Sequence, residues 1–200
     1  MITSARKAGE ASRTARVRRR WRSGANDMSE LDAEWERRVA EAATRAGAAG
    51  RDDVAAYLVL RAANDLARTV GVEWLVEIFT SLVDEALLRG VELKLTRDDE
   101  QSFRVGQATM VGARLTLSTG MVRSLTVEAG WPRTPRDGVV RGAGLARARL
   151  AHFGDRDAHE ELLLVKSDAG APRWIVVADS GERESFDEER ARRHLDKLLG

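Results

Sequence analysis

Apolar positions recur every three or four residues between residues 29 and 89, which is the period of helices that bury one side. The pattern predicts three helices, over about residues 29–46, 52–69 and 72–89. Gly47 and Gly50 separate the first helix from the second, and Gly71 interrupts the pattern before the third. Gly90 then stands where a helix C-cap is expected, so the helical part of the chain ends there.

After Gly90 the apolar residues alternate with polar ones, which is the period of a strand with one buried side. Alternating segments separated by turn residues predict an antiparallel meander of six to seven strands over about residues 91–179. Ser185 and Glu188 have the spacing of a capping box and predict a last helix over about residues 185–199. Helices followed by antiparallel strands and one more helix predict an α+β fold.

Charge divides the chain into two parts. Residues 1–27 contain eight Lys or Arg residues and two acidic ones, a balance of +6, whereas the whole chain carries +1. This composition predicts a basic, disordered extension followed by a single α+β domain over residues 28–200. A second interpretation stays open, in which translation starts at Met28, because "MSELDAEWERR" reads like a natural protein start.

Composition excludes several kinds of site. The chain has no Cys, which excludes disulfides, thiolate metal sites and cysteine nucleophiles. No stretch approaches the ~20 apolar residues that span a bilayer, and the basic N-terminal part lacks the apolar core of a secretory signal. We therefore expect a soluble, cytoplasmic protein with no membrane partner. Only 4 of the 33 basic residues are Lys, as in a GC-rich, bacterial-type genome, and this preference lowers the weight of any Arg cluster.

The segment 131–149 combines turn residues with five arginines and is a candidate for anion binding. Forked guanidinium groups suit phosphate and carboxylate, so an anionic ligand or a nucleic acid is the first alternative for the function. A solvated connection, whose Arg stems cover apolar surface, explains the same composition. The candidate residues are Arg133, Arg136, Arg141, Arg147 and Arg149.

The G-x-G of this segment does not make a dinucleotide site. Arg147 stands where the dinucleotide-binding turn needs a small residue for close packing of helix and strand. Residues 144–153 fit a strand or a helix, because Leu, Ala and Arg are also strong helix formers. If they form a strand, Arg147 and Arg149 lie on one side of it.

A polar segment that follows offers imidazoles and carboxylates, which are ligands for zinc and similar metals. The candidates are His152, Asp155, Asp157 and His159. Their spacing matches no recognised metal motif, and a polar turn explains the same residue types. An unrecognised hydrolase or metal enzyme is therefore the second alternative for the function.

Two of the tryptophans are candidates for contact with a partner. Trp35 lies on a helix with a thin apolar stripe, and Trp131 begins the Arg-rich segment. Trp74 and Trp174 fall within apolar elements and are expected in the core. His194 stands among charged residues and is expected to be exposed.

No catalytic motif leads to a function. The chain contains no G-x-S-x-G, Walker A, H-E-x-x-H or EF-hand pattern, and no cofactor is expected. These observations favour a non-enzymatic domain with a protein-binding, structural or regulatory role. Its partner would be an unknown protein or another copy of the chain in a homo-oligomer, and nucleic acid is the less favoured partner.

Overall fold

The computed structural model describes residues 34, 37–105, 108–120, 122–132, 144–166, 171–177 and 181–200. Within these residues the helices are α1 (37–48), α2 (Asp52–Leu88) and α3 (Glu188–Leu199). The strands are β1 (Lys94–Val105), β2 (Ala108–Thr119), β3 (Arg123–Pro132), β4 (Ala146–His152), β5 (Asp155–Lys166), β6 (Pro172–Val177) and β7 (Arg183–Ser185). The α+β fold predicted from the sequence is confirmed.

The chain falls into two compact units, Met1–Ala63 and Asn64–Gly200, and the boundary lies within α2. In the first unit, Val39, Ala43 and Ala46 of α1 are buried. The second unit contains the rest of α2, all seven strands and α3. The domain boundary predicted after residue 27 lies outside the described residues.

The seven strands form one antiparallel sheet in which each strand pairs with the next one in the sequence. The ambiguous segment 144–153 contributes β4, so the strand alternative is the correct one. Ala146, Ala148 and Leu150 are buried on one side of β4, between paired neighbours β3 and β5. This burial on alternate positions outweighs the intrinsic preference of Ala, Leu and Arg for helix.

The main core of the second unit lies on one side of the sheet and is closed by α2 and α3. From α2 it takes Val72, Leu75, Val76, Phe79, Leu82, Val83 and Ala86, and from α3 it takes Ala191, Leu195 and Leu198. Trp174 of β6 is 1% exposed in this core, as expected from the sequence. A smaller cluster contains Met110, Leu163 and Ile175, which occupy positions that alternate with the core positions of their strands.

The predicted break at Gly71 is wrong, because α2 runs without interruption from Asp52 to Leu88. Gly71 is buried where the helix approaches the sheet, and a Cβ atom there would lie 2.6 Å from both methyl carbons of Leu164. Its carbonyl oxygen accepts a hydrogen bond from Nε1 of Trp174 at 2.7 Å. The glycine therefore permits close packing of helix and sheet rather than ending the helix.

The predicted capping box at the start of α3 is also wrong. Ser185 belongs to β7, and the side chain of Asp187 caps the helix by accepting a hydrogen bond from the backbone N–H of Arg190 at 2.9 Å. The backbone N–H of Phe186 donates to the carbonyl of Trp174 at 2.9 Å, which keeps the chain extended one residue beyond β7. Sheet pairing thus delays the start of the helix.

Candidate functional site

Four of the residues singled out in the sequence lie outside the described residues: Arg133, Arg136, Arg141 and Trp35. Trp131 lies in β3, half-buried, and packs against the main core. Arg147 and Arg149 lie in β4, on the side of the sheet opposite the core. The structure therefore gives the surroundings of only two of the five arginines proposed to bind an anion, and anion binding stays a prediction.

Arg149 belongs to a row of alternating charges that crosses four neighbouring strands. In register, Arg114 lies opposite Glu128, Glu128 opposite Arg149, and Arg149 opposite Glu161. Nε of Arg114 donates to Oε1 of Glu128 at 2.8 Å, and Nε of Arg149 lies 3.8 Å from Oε1 of Glu161. Opposite charges on neighbouring strands stabilise a sheet. Because Arg149 stands between two carboxylates, its positive charge is already partly balanced.

The four residues predicted as metal ligands turn towards different partners. Nε2 of His159 lies 3.0 Å from the carbonyl oxygen of His152, and Oδ2 of Asp155 lies 2.9 Å from Nζ of Lys197. Asp157 is exposed. Among the residues that the structure describes, no group of three or more His, Asp or Glu side chains is arranged to hold a metal ion.

A buried histidine pair joins β4 to α3. Nε2 of His152 lies 2.9 Å from Nδ1 of His194, and the two rings meet edge to edge with their centroids 5.3 Å apart and their planes 21° from parallel. Each histidine is only 6% exposed. The expectation that His194 is exposed is therefore wrong, because the sequence neighbours of a helical residue do not share its side of the helix.

Glu160 of β5 extends this pair to a third side chain. Its Oε2 atom lies 3.3 Å from Nε2 of His194, and Nε of Arg190 donates to both of its oxygens at 3.1 and 3.0 Å. Arg190 also contacts Glu184, at the outer strand of the sheet. Burial alone would raise the pKa of Glu160, but hydrogen bonds from His194 and Arg190 outweigh it and lower the pKa to about 2.

The histidine pair requires one neutral ring acting as acceptor. Burial, together with the charges of His194 and Lys197, lowers the pKa of His152 to about 4. With His152 neutral, a chain of hydrogen bonds runs from Glu160 through His194 to His152. Such a chain can hold a proton, but both rings are almost fully covered, so the arrangement favours a structural link over contact with a substrate.

The sequence does carry a signal for this network. Ala191, His194, Leu195 and Leu198 follow the spacing of one buried helix stripe, and all four are buried in α3. A histidine inside an apolar stripe must find a polar partner when it is buried. The identity of that partner, Glu160, depends on the packing of α3 on β5 and has no local signal.

The described surface of α2 contains exposed apolar side chains. In the second unit, Leu66, Val70 and Trp74 follow one another at four-residue spacing and are 52%, 49% and 40% exposed. Trp74 was expected in the core, but the helix directs Leu75 and Phe79 there instead. A shallow cavity of about 260 Å³ adjoins it, lined by Trp74, Glu77, Ile78, Ser81, Leu82 and Glu188. In the first unit, Tyr57, Val59 and Leu60 are more than half exposed.

Charged residues are sparse in the part of α2 around Leu66 and Val70. Between Val54 and Val72 the sequence has only three, Arg61, Asp65 and Arg68. Nη1 of Arg68 donates to Oδ1 of Asp65 at 2.6 Å, and its Nε donates to the carbonyl of Leu145 at 3.0 Å. These contacts hold the charge of Arg68 near the start of β4. Beyond Val70, the exposed residues Glu73 and Glu77 lie on the same side of the helix.

Comparison with protein-family models, curated proteins and solved structures finds no match for the chain. Within the described part of the chain, none of the helices is long and apolar enough to cross a membrane.

Proposed function

We propose that this chain is a non-enzymatic protein-binding domain that makes its contact through the exposed apolar side of α2. The observation that carries the proposal is the row of Leu66, Val70 and Trp74, each about half exposed, which begins in a part of α2 with few charges. Aligned apolar side chains on a surface commonly mark a contact with another protein. The cytoplasmic location expected from the sequence is part of the same proposal.

A second copy of the chain is the partner that this surface fits most directly. The part of this side around Leu66 and Val70 carries no charge, so it can pack on its own equivalent without burying an unpaired charge, which would cost several kcal/mol. In such a contact Glu73 and Glu77 lie at the edge, where water reaches their carboxylates. Two-fold contacts between identical surfaces are the commonest form of oligomer. The four-residue spacing of Leu66, Val70 and Trp74 also suits side-by-side packing of two helices.

The contact is expected to be weak. Completing the burial of a half-exposed apolar side chain contributes about 1 kcal/mol to the free energy of association. Leu66, Val70 and Trp74 of two copies therefore contribute about 6 kcal/mol together. Association costs at least about 4 kcal/mol in lost freedom of motion. These three residues alone therefore support only weak dimers, which form at millimolar concentration.

The test is the mass of the full chain in solution, measured by light scattering from about 0.1 mM to several millimolar concentration. We expect the mass of the wild-type chain to rise with concentration and that of a Val70→Glu variant to stay at one copy. Val122→Glu is the matched control, because Val122 is an apolar residue that is 71% exposed in a turn. Its mass should follow that of the wild type.

Two results would contradict the proposal. The first is a single-copy mass at every concentration, together with a pull-down in which the wild type retains no protein more strongly than Val70→Glu does. This result would exclude α2 as a binding surface. Equal association of Val70→Glu and wild type would place the contact elsewhere. A partner retained by the wild type and by Val122→Glu, but lost in Val70→Glu, would keep the protein-binding role and replace the second copy as the partner.

A further inference from the structure

We propose that His152 and His194 form a proton-operated latch, which holds α3 against β4 and β5 near neutral pH and releases it in acid. The proposal rests on two ring nitrogens that face each other at 2.9 Å in a buried contact between the last helix and the sheet. Each ring belongs to a different element, so the bond between them is also a bond between those elements.

The facing nitrogens can share one proton but cannot carry two. With one proton between them, one ring donates and the other accepts. With a second proton, both facing nitrogens would carry a hydrogen, so neither could accept a hydrogen bond from the other. Two positively charged rings would also lie side by side, where water cannot screen their charges. The first added proton is tolerated, because an imidazolium at His194 can donate to Glu160 and to His152 at once. Protonation of both rings is therefore the event that opens the contact.

Each carboxylate near the pair already has a basic partner, so none is left to balance the charge of a second proton on the two rings. On β5, Asp155 pairs with Lys197 of α3, and Glu160 is held by Arg190 of α3, which also contacts Glu184 of β7. The third histidine, His159 of β5, directs Nε2 to the carbonyl of His152 and adds no negative charge. Consistent with these surroundings, burial first, followed by the charges of His194 and Lys197, lowers the pKa of His152 to about 4.

Release of α3 leaves the pairing of the sheet intact. The helix follows the last strand of the described sheet, and its own bonds to the sheet come from side chains. Ala191, Leu195 and Leu198 would leave the main core together and uncover apolar surface on helix and sheet. Acid would thus convert a covered surface into an exposed one while β1 to β7 keep their backbone hydrogen bonds.

The first test is a nuclear magnetic resonance titration of the full chain. The chain has three histidines, so the ring signals of the wild type and of a His159→Gln variant can be assigned by difference. We expect one of the two latch histidines to stay neutral until the pH falls below about 5, well below the usual range of an exposed histidine. Titration of both rings together near pH 6.5 would overturn the proposal.

The second test is amide hydrogen exchange, expressed as protection factors so that the intrinsic effect of pH on exchange is removed. A group whose pKa is about 4 with α3 docked and 6.5 with α3 released favours the released form about 60-fold more at pH 4.5 than at pH 7. We expect amides of α3 to lose protection by roughly that factor, while amides of β2 and β3 keep theirs. Equal loss across the whole second unit would indicate global unfolding and contradict a latch.

Variants separate the pair from other acid effects. In His152→Gln the amide nitrogen can take the place of Nε2 and donate to Nδ1 of His194, but it cannot take up a proton, so α3 should stay protected at pH 4.5. His159→Gln is the matched control, because it removes a histidine next to the pair and should keep the wild-type response. An unchanged loss of protection in His152→Gln would refute the latch. If that variant does not fold, the titration of the wild type decides the question alone.

Discussion

Gly71→Ala is expected to destabilise the protein, although the same change in the middle of a helix normally stabilises it. Alanine is favoured over glycine in a helix by about 1 kcal/mol. At Gly71, however, the new methyl group would lie 2.6 Å from both methyl carbons of Leu164, well inside contact distance. Leu164 is fully buried, so it cannot move aside without disturbing the core. Overpacking of this kind costs about 1–3 kcal/mol, which leaves a net loss of up to about 2 kcal/mol.

The measurement is the free energy of unfolding from urea titrations of the full chain. Gly47→Ala is the matched control, because Gly47 is also helical and a Cβ atom there would lie 4.0 Å from its nearest neighbour, Cβ of Ala55. That variant should gain up to about 1 kcal/mol or remain unchanged. Combining Gly71→Ala with Leu164→Ala should cost less than the sum of the two single changes. A Gly71→Ala protein more stable than the wild type would refute the close packing of α2 on β5.

Three further predictions concern hydrogen bonds and charges of the second unit. Trp174→Phe should lower the free energy of unfolding by about 2 kcal/mol, measured in urea, because it removes the bond to the carbonyl of Gly71 and leaves space in the core. Glu160→Gln should cost about 2 kcal/mol in the same assay, because Arg190 loses a charged partner in a partly buried place. The free energy of unfolding of the wild type should fall by about 3 kcal/mol between pH 6.5 and 4, measured by unfolding at fixed pH. The reason is the lowered pKa of His152 in the folded state, because of which the unfolded chain binds the proton more tightly than the folded chain does.

Each of these has its own control. Trp74→Phe changes a tryptophan that is 40% exposed and should alter stability by less than about 0.5 kcal/mol. Glu161→Gln removes a half-exposed carboxylate 3.8 Å from Arg149 and should have a similarly small effect. His152→Gln should flatten the pH dependence above pH 4.5, whereas a further decline below that pH should persist, because Glu160 has a lowered pKa and favours the folded state only while it is ionised. A wild-type stability that is constant from pH 6.5 to 4 would show that the histidine is not held neutral by folding.

The fold could be predicted as far as periodicity determines it. The change from helical to alternating spacing near Gly90 was sufficient for the α+β class and for a meander of up to seven strands. The break at Gly71 was predicted wrongly because a local rule for glycine cannot register a tryptophan 103 residues away. The cap at Ser185 was predicted wrongly for the same kind of reason, since pairing of β7 with β6 holds that residue in the sheet.

The candidate sites, too, could be predicted only in part. His152 was selected from the sequence as a metal ligand, which stays a prediction, whereas its contact with His194 could not be predicted because the two residues come from different elements. Charged neighbours in the sequence made His194 look exposed, although the spacing of Ala191, His194 and Leu195 already indicated a buried position. Trp74 was assigned to the core on hydrophobicity alone, which cannot tell two apolar sides of one helix apart.

The order of the strands has a consequence for how the chain folds. Every strand pairs with its neighbour in the sequence, so the entropy lost in closing each hairpin is small and the described sheet can grow one strand at a time. The bond from Trp174 to Gly71 is different, because it closes a loop of about one hundred residues between the sixth strand and the first long helix. Local pairing accelerates folding and distant contacts slow it. The sheet is therefore expected to form early, and the docking of α2 on it, fixed by one tryptophan and one glycine, to be the late step that completes the core.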